Sequence, residues 1–222
     1  MLVGSFNLEK SGQSSKLEKQ TQVDQFIWAC ARDQKVDVIF LCEIHSSRGG
    51  DYLSHLSEVH KDYSWNHFYG GHSNGYIIGL RGRIDCEDAK LSGLNRSVLR
   101  LSKNTGNYKG VLYVAHFKSG QSKLTEKQLK DTANSAQEFG HPWAITGDMN
   151  WDISKSGELI GMNPWDSHDC WPDEDSTQAK GGKLDWVLHH DNVNVEHFQL
   201  DAKFYDMSGP DHRPLLFELT TR

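Results

Sequence analysis

The chain has 222 residues, of which 36% are hydrophobic and 24% charged, with seven Trp, seven Tyr and nine Phe. That aromatic content excludes an intrinsically disordered chain, and the length suits a single folded domain over residues 1–222. No apolar run approaches the ~20 residues of a membrane span. The net charge of −6 argues against a high-affinity, non-catalytic nucleic-acid binder, whose phosphate attraction comes from clustered Lys and Arg.

The start, MLVGSFNLEK, lacks the basic and apolar segments of a signal peptide, so the expectation is a cytoplasmic protein that does not engage membranes. Val3 to Asn7 is a short strand. From Leu17 to about Asp33, Val23, Phe26, Ile27, Cys30 and Ala31 recur at helical spacing. Val36 to Cys42 is a continuous apolar run of β-rich type, the pattern of a strand buried on both faces. Tyr76 to Leu80, Ser97 to Leu101 and Val111 to Phe117 are further strands. A second amphipathic helix covers Thr125 to Phe139, with Leu129, Ala133 and Ala136 on one face. Trp143 to Thr146, Leu184 to Leu188 and Pro214 to Leu219 complete the strands. Gly49-Gly50, Gly70-Gly71 and Gly181-Gly182 read as turns. The polar stretch from Ile153 to Gly182 reads as a long loop, a common place for function. Helices interspersed among this many strands point to an α/β fold with room for two sheets. Cys30, Cys42, Cys86 and Cys170 are far apart and form no metal knuckle.

The strands end in residues unsuited to a core. The first ends at Asn7, and VDVIFLC ends in Glu43. VLYVA runs into His116, WAITG into Asp148 and Asn150, and LDWVL carries Asp185 near its start. Asp211 and His212 precede the last strand. Carboxylate and amide oxygens suit a hard divalent cation, and histidines beside it can move a proton or hold a phosphate. That set favours phosphoester hydrolysis over acyl transfer, for which the sequence offers no GxSxG nucleophile.

In order, GSFNLE, VIFLCEIHS, VAHFKSG, ITGDMNWD, KLDWVLHH and GPDHRPLLFEL resemble the motifs of the DNase I-like endonuclease/exonuclease/phosphatase family. The resemblance spans residues 3 to 219. It implies a four-layered α/β sandwich of two packed mixed β-sheets flanked by helices. It implies Mg²⁺, with Mn²⁺ as a substitute, bound by Glu43 with Asn7 and Asp211. It further implies that Asp148 and Asn150 orient water and phosphate, that Asp185 holds His212, and that His116 contacts the scissile phosphate. Either His212 or Asp148 serves as general base on this reading. One departure stands out: DNase I-type members pair the central His with an acid from the preceding strand region, and GGHSNGYIIGLRG offers none at that place.

Among phosphoesters, the resemblance favours a nuclease acting on nucleic acid, DNA first. Lys118 and Lys183, with Lys10, Arg48 and Lys155, lie next to the motifs and are candidate phosphate contacts. The Pro-x-Trp-Cys-Asp-Arg signature of inositol phosphatases is absent, and the Trp residues are too scattered for a membrane-contacting hairpin. The alternatives are a phosphatase or phospholipid phosphodiesterase of the same fold, and a catalytically inert binding module. Oligomeric state stays open.

Overall fold

Two parallel pairs of apolar strands lie at the centre of the molecule. β1 (Leu2–Ser11) runs beside β2 (Val38–His45), and β7 (Val111–His116) beside β8 (Trp143–Asp148). Parallel neighbours need a long crossover. α1 (Leu17–Trp28), extended by a π-helical turn over Ala29–Asp33, supplies the first, and α3 (Ser122–Glu138) supplies the second. The computed structural model describes residues 1–11, 17–45, 47–70, 74–91, 96–103, 106–120, 122–161, 163–201, 204, 207 and 210–222.

Antiparallel strands extend each pair into a six-stranded mixed sheet. The first is ordered β11 (Val193–His197), β12 (Leu215–Thr221), β1, β2, β4 (Asn74–Leu80), β3 (Ser64–Tyr69). The second is ordered β5 (Asp85–Asp88), β6 (Val98–Ser102), β7, β8, β10 (Asp185–His190), β9 (Trp165–His168). Side-chain alternation divides the core. Leu112, Val114, Ala144 and Val187 of the second sheet join the cluster of Ile39, Phe40, Leu41 and Phe217 from the first. Tyr113, Ile145, Trp186 and Leu188 point the other way, onto Leu129, Ala133 and Ala136 of α3. On the outer face of the first sheet α1 and its π-helical extension pack closely, since a Cβ on Gly4 would stand 2.6 Å from Cys30 Sγ and 3.2 Å from Phe26 Cζ. The result is the expected α/β four-layered sandwich.

Two expectations change. Gly49-Gly50 is not a turn but the first turn of α2 (Gly49–Val59), whose buried Leu56 and partly buried Tyr52 and Leu53 join the core. The stretch from Ile153 holds a 3-10 turn, the short helix α4 (Ser156–Ile160) and β9. The four cysteines are free thiols, and burial pushes the Cys30, Cys42 and Cys170 thiols far up. Among the described residues no helix is long and apolar enough to cross a membrane.

Gly147 shows how tightly the centre is drawn. Its φ is +127°, and a Cβ there would lie 2.0 Å from the Ala115 carbonyl oxygen on the parallel neighbour. Both the conformation and the space demand glycine. Gly147→Ala is expected to destabilise the fold by more than about 2 kcal/mol, read from urea unfolding. An unchanged midpoint would show that β7 and β8 can part without cost.

Candidate active site

Strand register sets the site. His116 stands opposite Asp148 across β7 and β8, and Asp185 stands opposite Asp148 across β8 and β10. The three therefore form a row across the end of one sheet. On the other sheet Asn7 pairs with Cys42, so Glu43 follows directly beside it. The ladder is irregular here: β1 loses register after Asn7, and Glu9, Lys10 and Glu43 have φ of 45°, 56° and 56°. Asn150 shares this conformation at 48°. Left-handed backbone at non-glycine residues is uncommon and costs energy, and such irregularities re-aim side chains at strand ends.

The two rows meet at Asp148, which is buried. Its Oδ2 accepts hydrogen bonds from Asn7 Nδ2 and Asn150 Nδ2, each at 2.9 Å, and its Oδ1 accepts from the Asn150 backbone N–H at 2.9 Å. His116 Nε2 lies 3.3 Å from Asp148 Oδ2 and 3.5 Å from Glu43 Oε1. His212 Nε2 lies 3.9 Å from Asp148 Oδ2, 3.9 Å from Asp211 Oδ1 and 3.5 Å from Asn7 Nδ2. His212 Nδ1 donates to Asp185 Oδ2 at 2.8 Å. That bond fixes the ring and leaves Nε2 facing the cluster. The structure thus gathers Asn7, Glu43, His116, Asp148, Asn150, Asp185, Asp211 and His212 at one place. Among the described residues His116 Nδ1 has no hydrogen-bond partner, although it is buried; the acid that DNase I-type proteins supply is not replaced.

Burial alone would raise Asp148, but His212, His116 and the Asn150 amide outweigh it and hold the carboxyl well below its ordinary range. Burial would likewise lower His212, but the Asp185 and Asp148 carboxylates push its pKa up to about 10. Asp185 is itself raised, by burial first, against the pull of His212. Both partners shift towards proton binding, so the Asp185–His212 pair keeps its proton past neutrality while Asp148 stays ionised.

Four carboxylates and two imidazoles leave an excess of buried or half-buried negative charge, which a hard cation would neutralise. Oxygen and nitrogen atoms of Asp148, Asp185 and His212 lie within 4.8 Å of one another and could hold a metal. These three side chains are already engaged in hydrogen bonds with each other and with Asn7, Asn150 and Thr177. Glu43 and Asp211 are the more open carboxylates, with side chains 18% and 22% exposed.

The lysines differ from the acids. Lys183 Nζ is ion-paired with Asp169 and donates to the Trp171 carbonyl at 3.0 Å. Lys118 follows the His116–Phe117 segment, and its backbone N–H and C=O are tied to Gln128 and Thr125 of α3. Other residues enter the site to which the motifs assigned no role. Glu9 Oε2 accepts from the Asp211 N–H at 3.2 Å. Arg96 donates to the His116 and Phe117 carbonyls at 3.1 and 2.9 Å. Thr177 Oγ1 donates to Asp185 Oδ2 at 2.9 Å. Only Glu9 carried a signal, as an acid two residues beyond Asn7.

No family model matches the sequence. No curated protein matches it either. Solved structures do match by shape. The human Nocturnin catalytic domain with bound sulfate anion superposes at a TM-score of 0.69 with 15% identity, over 100% of this chain and 94% of that one. A mannosyl-6-phosphatase from Bacteroides thetaiotaomicron matches at 0.69 and 13%, over 99% of each chain. D. rerio TDP2 complexed with a single-strand DNA product matches at 0.71 and 14%, over 100% and 99%. At these identities the likeness shows the fold, which is also that of a Bacteroides thetaiotaomicron endonuclease/exonuclease/phosphatase family protein.

Proposed function

We propose that residues 1–222 form one catalytic domain, a divalent-metal-dependent phosphodiesterase, and that its substrate is nucleic acid, DNA first. The observation that carries this reading is the buried Asp148, bonded to both asparagines and flanked by both histidines at the meeting of the two sheets. A TDP2 with a single-strand DNA product on the same fold supports the choice of substrate.

Glu43 and Asp211, with Asn7 beside them, would hold Mg²⁺ or Mn²⁺. When bound, the cation supplies positive charge against the phosphate and acidifies an attacking water. The chain does the rest. Asp148 and Asn150 orient the water, whose proton passes to an acceptor as oxygen attacks phosphorus and the bond to the leaving oxygen breaks, the leaving oxygen taking up a proton from solvent. His212, cationic through its pair with Asp185, presents Nε2–H to a phosphate oxygen. With His212 holding its proton, Asp148 is the ionised group left beside the water, a weak base because the neighbouring histidines and the Asn150 amide hold its proton affinity down. His116, with Nε2 turned to the cluster, contacts the scissile phosphate.

Incubation with supercoiled plasmid, single-stranded DNA, RNA and p-nitrophenyl phosphate, with Mg²⁺ or Mn²⁺, tests the reading. Cleavage of a nucleic acid is the expected result; release from the monoester alone would move the protein to the phosphatases, and no hydrolysis would leave a binding module. Glu43→Gln keeps the shape but loses the charge that holds a hard cation. Its turnover should fall by orders of magnitude, and the residue of activity should require more Mg²⁺. Wild-type activity of Glu43→Gln at low Mg²⁺ would remove Glu43 from the metal site.

A further inference from the structure

Thr177 sits in the segment between β9 and β10, fully buried, eight residues before Asp185. Its hydroxyl is completely used. It donates to Asp185 Oδ2 at 2.9 Å and accepts from the backbone N–H groups of Leu184 at 2.9 Å and Asp185 at 3.0 Å. One donor and two lone pairs are all a hydroxyl has. The oxygen it contacts, Asp185 Oδ2, is the one that receives His212 Nδ1–H.

The backbone of the same residue binds both sides of the site. Thr177 N–H donates to the Gly182 carbonyl, and its own carbonyl accepts from Arg213 N–H, one residue beyond His212. The next residue, Gln178, forms a β-bridge with His212, and its Nε2 donates to Asp211 Oδ2 at 3.1 Å. Thr177 therefore grips the carboxylate behind His212 while Gln178 grips the one ahead of it.

We propose that Thr177 is a positioning residue for the Asp185–His212 pair: its hydroxyl fixes the Asp185 carboxylate so that one oxygen meets His212 Nδ1 and Nε2 stays aimed into the site. The kinetic part of this inference rests on the phosphoesterase reading; the geometric part does not. A capping role alone would satisfy the Leu184 and Asp185 amides without bearing on turnover.

The test compares Thr177→Ser, Thr177→Val and Thr177→Cys with the wild type on bis(p-nitrophenyl) phosphate in Mg²⁺ or Mn²⁺. Serine keeps the hydroxyl and loses a methyl. It should melt earlier yet hold kcat within about threefold, because only packing is lost. Valine keeps the shape and loses the hydroxyl. Its kcat should fall about 10- to 100-fold, the usual effect of losing an outer hydrogen bond that orients a functional side chain, with KM within about twofold. Should Thr177→Val fail to fold, Thr177→Cys, a weaker donor of similar size, should show the same kcat loss in milder form. In ¹H–¹⁵N spectra of histidine-labelled protein, the His212 Nδ1 proton should keep its position in Thr177→Ser and shift or broaden away in Thr177→Val, or in Thr177→Cys if valine does not fold. Wild-type kcat without the hydroxyl, a serine variant as slow as valine or cysteine, or an unmoved His212 proton would each overturn the proposal. If the wild type hydrolyses no phosphoester, the functional reading fails and the His212 proton alone decides the positioning claim.

Discussion

Asp148→Asn is expected to lose roughly 10³-fold or more in turnover, the scale seen when one member of a coupled catalytic group is removed. Asparagine has the same shape, so the loss would come from charge and hydrogen-bond polarity. Asp148 Oδ1 accepts from the Asn150 N–H, and Oδ2 accepts from the side-chain amides of Asn7 and Asn150. Whichever way the new amide turns, its NH₂ faces another N–H donor. The substitution also removes the carboxylate that draws His116 and His212 towards the centre of the site. The measurement is single-turnover hydrolysis of a labelled oligonucleotide, with circular dichroism to confirm the fold. A variant within tenfold of wild type would show that Asp148 is only a structural hub.

The second large effect belongs to His212 and Asp185 together. Their 2.8 Å bond is buried, and the Asp185 carboxylate helps His212 hold its proton. His212→Ala should lose a factor of about 10² to 10⁴ in turnover, the worth of a positioned proton-transfer or charge-stabilising group. His212→Ala/Asp185→Ala should be little worse than the single substitution, because coupled catalytic residues are not additive. Substrate affinity should change less than turnover, since other residues still contact the phosphate. Two losses that simply multiply would mean that the residues act independently. A near-wild-type His212→Ala would remove His212 from the chemistry.

The residues that the motifs singled out were legible because they interrupt strong patterns. Val36 to Cys42 is apolar throughout, so Glu43 at its end stands out, and the same holds for Asp148 after Trp143 to Thr146. The central strands and α3 were legible for the same reason. What escaped was held by backbone. β9, WDSH, pairs with β10 through its main chain and needs no apolar alternation of its own. α2 begins on two glycines, which weaken the helical pattern. Thr177 reaches Asp185 only because the loop folds back through Gly182, and a lone Thr in a polar stretch carries no such signal. The left-handed turn at Glu43 is equally silent, since Glu is not a residue that favours it.

The most direct measurement is hydrolysis of end-labelled single-stranded DNA by the wild-type chain in Mg²⁺, in chelator, and with Asp148→Asn as the control. The account predicts cleavage in Mg²⁺ that stops in chelator and is lost in the variant. Cleavage that persists in chelator, or proceeds equally in Asp148→Asn, would contradict it.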